Sequence, residues 1–228
     1  MHLRLDEWLP VYREICVDFG FDPKRDEDAA LLLSGKVEGD AAAKALAAVR
    51  ERMPAEVVLC GAAETLGHEL ESLERGAFVV AADGATTDVL RARLRPEMIV
   101  TDLDGDVDDQ VRANAQGAVV FVHAHGDNMR VLREHVPRFP GELVGTCQSR
   151  PPPGLFNFGG FTDGDRAACI CAELGARRIL LAGFDFLSPS DKPGRDPTVK
   201  RRKLAWAERI LGMLSNRGVV IERLCDRR

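Results

Sequence analysis

A chain of 228 residues with 45% apolar side chains can bury one medium-sized core, with room for a small appendage. Its net charge of −5 excludes nucleic-acid binding through bulk positive charge. No apolar run is long enough to span a bilayer, and the segment after Met1 is amphipathic, unlike a signal peptide, so no membrane partner and a cytoplasmic location are expected. The six cysteines contain no Cys-x-x-Cys pair and read as small buried hydrophobes, not as a disulfide framework.

Apolar side chains at Leu5, Trp8, Leu9, Tyr12, Ile15, Cys16 and Phe19 recur at helical spacing and predict a helix over 5–19, closed by Gly20. A second helix is expected over about 26–33. Gly35 and Gly39 interrupt, and Asp40 is placed to cap an Ala-rich helix over 41–53 that ends before Pro54. Residues 1–54 thus read as a helical N-terminal extension without a chemical motif, and residues 55–228 as an α/β catalytic domain.

From residue 56 the rhythm changes. Short β-branched runs at 57–60, 78–81, 98–100, 119–122, 142–145, 179–182 and 219–221 alternate with helical spacing over 65–74, 87–94, 128–135, 163–174 and 199–216. This alternation predicts a Rossmann-like α/β fold, a largely parallel sheet with helices on both faces. In such sheets ligands bind outside the carboxyl ends of the strands. Five of those ends run into polar motifs: Asp83-Gly84-Ala85-Thr86, Thr101–Asp106, His123–Asn128, Gly145–Ser149 and Gly183-Phe184-Asp185. That concentration marks a site.

Within Thr101-Asp102-Leu103-Asp104-Gly105-Asp106 the carboxylates alternate, and in extended backbone residues two apart share a face. Asp102, Asp104 and Asp106 are therefore expected to converge, and converging anions call for a cation such as Mg²⁺. The plainer alternative is a solvated acidic turn in which Asp106 caps the next helix. In Asn157–Arg166 the paired glycines allow close backbone approach, the following helix start offers N–H groups to an anion, and the Arg166 fork suits a phosphate. Asp163 there reads either as a cation ligand or as a helix cap. His123-x-His125-x-Asp127 suits a phosphate or substrate contact, or alternatively the two-histidine site of a metal-dependent hydrolase. Lys200-Arg201-Arg202-Lys203 follows a Pro-, Gly-, Ser- and Asp-rich stretch, Ser188–Pro197, that suits a loop closing over a triphosphate or a plain solvated face. Neither a Gly-x-x-x-x-Gly-Lys-Ser/Thr loop nor Gly-x-Gly-x-x-Gly after the first strand occurs, which disfavours P-loop and ordinary dinucleotide-binding proteins.

Ala82–Thr86, Thr101–Asp106, His123–Asn128, Gly145–Gln148 and Asn157–Arg166, in this order, resemble the archaeal 6-hydroxymethyl-7,8-dihydropterin pyrophosphokinase family, similar in its core to thiamin pyrophosphokinases. The resemblance covers about residues 56–215. It implies ATP- and Mg²⁺-dependent diphosphate transfer to a reduced pterin, release of AMP, a role in tetrahydromethanopterin or folate-type cofactor synthesis, and, by analogy with related enzymes, a homodimer. Under it, Asp102, Asp104 and Asp127 become the expected Mg²⁺ ligands, with Asp106 and Asp163 next, and Arg166 and Lys203 the expected phosphate contacts. Asp83, Gly84, Thr146, Gln148, Gly159, Gly160, Thr162 and Asp165 fall where nucleotide and substrate would be held. One departure stands out: the family's Gly-x-Gly-Pro-Ser-Leu is replaced by Gly61-Ala62-Ala63-Glu64-Thr65-Leu66. Thiamin diphosphokinase and the histidine-based hydrolase are the competing readings.

Overall fold

The structure is a computed structural model that describes residues 3–74, 76–186 and 196–226. Three N-terminal helices, α1 (Leu5–Phe19), α2 (Pro23–Ser34) and α3 (Gly39–Arg52), lead into strand β1 (Glu56–Cys60). There follow α4 (Leu66–Leu70), β2 (Val79–Ala82), α5 (Ala85–Arg91), β3 (Met98–Thr101), α6 (Val107–Ala115) and β4 (Val119–Ala124). The described chain continues through α7 (Met129–His135), β5 (Leu143–Cys147), α8 (Asp163–Leu174), β6 (Arg178–Ala182), α9 (Pro197–Ser215) and β7 (Val220–Arg223). The seven strands form one parallel sheet in the order β5-β4-β3-β2-β1-β6-β7, the fold class the alternation predicted. No described helix is long and apolar enough to cross a membrane.

The strands are apolar on both faces because both faces are covered. Leu59, Val80, Val100, Phe121 and Val144 enter one core with α1, α8 and α9. Their neighbours Val58, Ala81, Ile99, Val120 and Val122 enter the other with α2 and α4 to α7. The N-terminal helices belong to both cores: Trp8 and Ile15 lie in the first, Ala29 and Leu33 in the second. Gly20 ends α1 at φ 68, as its position predicted. Helix α3 starts two residues earlier than expected, with Glu38 at the capping position, so Asp40 sits inside the first turn and does not cap.

In a parallel sheet all carboxyl ends share one edge. The strand order reverses between β1 and β6, where α/β sheets usually open a ligand crevice. Here that gap is filled. The Gly61 N–H donates to the Ala182 carbonyl (2.8 Å) and the Ala63 N–H to the Gly183 carbonyl (2.9 Å). A Cβ on Gly61 would stand 2.7 Å from the Gly183 oxygen and 2.9 Å from the Phe184 ring. The polar loops gather instead over β2, β3 and β4.

Candidate active site

Strand β2 ends at Ala82, and the next residue, Asp83, takes a left-handed conformation (φ 44), which Asp tolerates better than most. This turns its carboxylate across the sheet edge. Asp83 Oδ1 accepts the Thr101 hydroxyl (2.7 Å), the Gly105 N–H (3.0 Å) and the Gln110 side-chain amide (3.0 Å). The Thr101 Oγ1 in turn accepts the Leu103 N–H (2.8 Å), and Leu103 is left-handed too, at φ 66. A buried Leu adopts that conformation only where the surroundings over-determine it.

The chain therefore leaves the extended conformation just after β3, and the expected alternation of Asp102, Asp104 and Asp106 is not kept. Asp102 faces inward and its Oδ1 accepts the Asp104 N–H (3.2 Å). Asp104 is exposed. Asp106 caps α6, accepting the N–H groups of Asp108 (3.0 Å) and Asp109 (3.2 Å), as the plainer alternative had it. What Asp102 meets is Asp83 from β2 and Asp163 from the start of α8. One carboxylate oxygen from each of the three lies within 4.8 Å of the others. Among the described residues this is the one group of three carboxylate, histidine or thiol side chains so placed.

Burial and mutual repulsion govern these charges. Asp163 is held well above the usual carboxylate range by burial, then by Asp102 and Asp83, against the pull of Arg166. Asp83 is also raised, by burial and then Asp102, although its three donors oppose this. For Asp102 burial again pushes upward, but His125, Arg166 and the Asp104 N–H together outweigh it and leave the group below its ordinary value. The His125 Nε2 lies 3.4 Å from Asp102 Oδ2. Three carboxyl groups that cannot all be comfortably ionised at once form a site that a divalent cation fits.

Helix α8 is built to present Asp163. Thr162 is the N-cap, so Asp163 is the first helical residue and not the cap. The capping work falls to Asp165, fully buried, whose carboxylate accepts the N–H groups of Phe161 (2.6 Å) and Thr162 (2.8 Å) and the Thr162 hydroxyl. Gly160, at φ 95, presses on the same turn: a Cβ there would lie 2.3 Å from the Arg166 Cα. Gly159, at φ 81, backs onto Leu3 and Trp8. Arg166 is 3% exposed and its guanidinium donates to the Gly160 (3.3 Å) and Phe161 (3.1 Å) carbonyls and pairs with Asp163 (3.3 Å). It stands behind the acidic cluster as a counter-charge that also holds the glycine loop.

The remaining predicted residues divide. Gly84 caps α5 directly beneath the turn, where a Cβ on Gly105 would come within 2.9 Å of its nitrogen. Thr146 donates to the Val122 carbonyl (3.1 Å), so its single proton is spent and it accepts from His123 Nδ1 (3.1 Å). Burial, then Arg166 and His125, holds the His123 ring well below the usual histidine range. Gln148 is buried and donates to Asp26 (2.7 Å). Asp127 is exposed and pairs with Arg25 (3.1 Å), outside the acidic cluster. Lys203 on α9 is exposed, with its ammonium 5.8 Å from the Phe161 ring centre. Most of the Ser188–Pro197 stretch lies outside the described residues.

Sequence reasoning passed over the N-terminal helices. Asp26 of α2, 5% exposed, accepts the Tyr12 hydroxyl (2.7 Å), the Gln148 amide (2.7 Å) and the Gly126 N–H (2.7 Å). The Trp8 indole donates to the Gln148 carbonyl (2.9 Å). Only the burial of an acidic residue in an amphipathic helix would have signalled this, and sequence alone does not show burial.

A doubly wound parallel sheet carrying a half-buried three-carboxylate cluster beside a glycine loop and a helix amino end defines an α/β protein of the phosphate-handling kind. More particularly, the chain belongs to the family described as "6-hydroxymethylpterin diphosphokinase MptE-like", whose sequence model matches residues 38–191. It is 41% identical over 238 aligned residues to the 6-hydroxymethyl-7,8-dihydropterin pyrophosphokinase of Methanothermobacter thermautotrophicus, covering 97% of this chain and 100% of that protein. The protein of the same name from Pyrococcus furiosus is 39% identical, covering 95% of this chain and 96% of its own. That from Methanocaldococcus jannaschii is 31% identical, covering 93% and 96%.

Proposed function

We propose that this chain is a 6-hydroxymethyl-7,8-dihydropterin diphosphokinase, moving the terminal diphosphate of ATP to the pterin hydroxymethyl group and releasing AMP. Full-length similarity to three relatives bearing that activity in their names supports the reaction. The observation that carries the site is the half-buried cluster of Asp83, Asp102 and Asp163. These three would hold Mg²⁺, which when bound neutralises the transferred phosphates and their developing charge. Asp127 and Asp104, exposed at the rim, suit contacts to the ion through water.

Diphosphate transfer asks the protein for alignment and charge more than for covalent chemistry. The amino end of α8, with Gly159 and Gly160 ahead of it, offers backbone dipoles to phosphate oxygens. Arg166 adds a fixed positive charge behind the cluster, and Lys203 a second, exposed one near Phe161. The reading places the enzyme in the cytoplasm, in tetrahydromethanopterin or folate-type cofactor synthesis.

The histidine-based hydrolase loses support from geometry. His123 has Nδ1 tied to Thr146, His125 has Nε2 beside Asp102, and neither belongs to a three-ligand group among the described residues. Incubation with ATP, Mg²⁺ and either 6-hydroxymethyl-7,8-dihydropterin or thiamin, followed for AMP, tests the assignment. AMP with the pterin alone is expected; AMP with thiamin alone, or free phosphate without an acceptor, would refute it.

A further inference from the structure

We infer that Asp26, on the second N-terminal helix, is a positioning residue for the active site, holding the loop after β4 in the place that the reaction requires. This rests on the diphosphokinase reading for its kinetic consequence, but not for its structural one. The Asp26 carboxylate is 5% exposed and grips two site loops at once. Its Oδ1 accepts the Gly126 N–H at 2.7 Å, within the His125–Asn128 segment, and its Oδ2 accepts the Gln148 amide at 2.7 Å, just after β5. The Tyr12 hydroxyl, from α1, completes the set at 2.7 Å.

The grip is reinforced from the next residue along the helix. Arg25 donates to the Gly126 carbonyl (3.2 Å) and pairs with Asp127 (3.1 Å). Gly126 touches α2 so closely that a Cβ would stand 2.6 Å from the Arg25 Cβ. From that anchor the loop reaches the acidic cluster. Asn128 accepts the His125 N–H (3.0 Å) and donates to the carbonyls of Asp102 (3.0 Å) and His123 (2.8 Å), while His125 faces the Asp102 carboxylate. Displacing Gly126 therefore moves the ring that stands 3.4 Å from Asp102 Oδ2. Direct partners of a metal ligand change affinity or activity by about 10–100-fold when lost, and Asp26 holds the loop that carries one of them, His125.

The test uses the full chain. Asp26→Ala removes the acceptor; Gly126→Ala leaves Asp26, Tyr12 and Gln148 intact and pushes the loop off the helix by steric contact alone. Leu33→Val, a buried change on the same helix, serves as the purely structural control. Amide hydrogen exchange is expected to accelerate at residues 125–128 in both site variants, with α8 and the sheet unchanged. AMP formation is expected to show kcat reduced about 10–100-fold and a raised Mg²⁺ half-saturation, with the KM for pterin little changed. Leu33→Val is expected to lower Tm without either signature. Unaltered exchange at 125–128 in both site variants, or the same kinetic shift in Leu33→Val, overturns the inference. A wild-type protein that forms no AMP refutes the activity instead, and the exchange measurement still decides the role of Asp26.

Discussion

At the scale of single residues, the site is governed by charges that the fold forces together. Asp163 is raised by burial and by its neighbours Asp102 and Asp83, so ionising it opposes folding. A carboxyl raised in this way favours the fold while protonated, and that advantage disappears as pH rises through its folded-state value. Above the ordinary Asp range the metal-free protein should therefore lose stability with rising pH. The Asp163→Asn variant should lose less and melt at a higher temperature than wild type near neutrality. Calorimetry of both proteins in EDTA between pH 4 and 8 checks this. The same variant removes a proposed Mg²⁺ ligand, so its AMP formation should fall by about 100-fold or more. Because Mg²⁺ must displace protons from raised carboxyls, its stabilising effect should be larger at pH 8 than at pH 5, just above the ordinary Asp range. A Tm shift by Mg²⁺ that is equal at both pH values, or that survives in Asp163→Asn, would contradict the cluster as the binding site.

At the scale of elements, the tight turn after β3 decides which carboxylates meet. Gly105 lies against the β2 loop, where a Cβ would be 2.8 Å from Asp83 Oδ2 and 2.9 Å from the Gly84 nitrogen. Gly105→Ala should cost about 1–3 kcal/mol by overpacking and should lower kcat by separating Asp102 from Asp83; urea melts and the AMP assay read the two effects. This turn also shows where sequence reasoning stopped. The strands were legible because buried parallel strands are apolar at every position, and the polar strand ends were legible because loops at the carboxyl edge carry the chemistry. The composition of the acidic cluster was legible only in part. The period-two rule holds only while the backbone stays extended, and Leu103 and Asp83 leave that conformation at φ 66 and φ 44. Asp102 and Asp163 were read from sequence as candidate cation ligands and Asp83 as a binding residue, but that these three meet, and Asp104, Asp106 and Asp127 do not join them, depends on long-range contacts between β2, β3 and α8. The same holds for Asp26, whose bonds to Gly126 and Gln148 span 100 and 122 positions.

At the scale of the whole molecule, the first 54 residues are not an appendage on a finished domain. Helix α1 buries Trp8, Val11, Tyr12, Ile15 and Cys16 against the face of the sheet that carries α8, and α2 buries Ala29, Ala30 and Leu33 against the opposite face. A fully buried large apolar side chain contributes about 1.5–3 kcal/mol, so α1 alone supplies something on the order of the 5–15 kcal/mol by which a domain is stable. Removing residues 1–54 would uncover Phe121 and Val144 on one face and Val120 and Val122 on the other, next to β5, the outermost strand on that side, which meets Phe156 at an isolated bridge. The truncated chain should therefore give no cooperative thermal transition and should be cleaved by trypsin at concentrations that leave the full chain intact. A truncated protein that melts cooperatively would show that β1 to β7 fold without these helices. In that case the loss of activity expected from missing Asp26 would be measurable on a folded scaffold, and the structural and positioning roles of the N-terminal helices would separate cleanly.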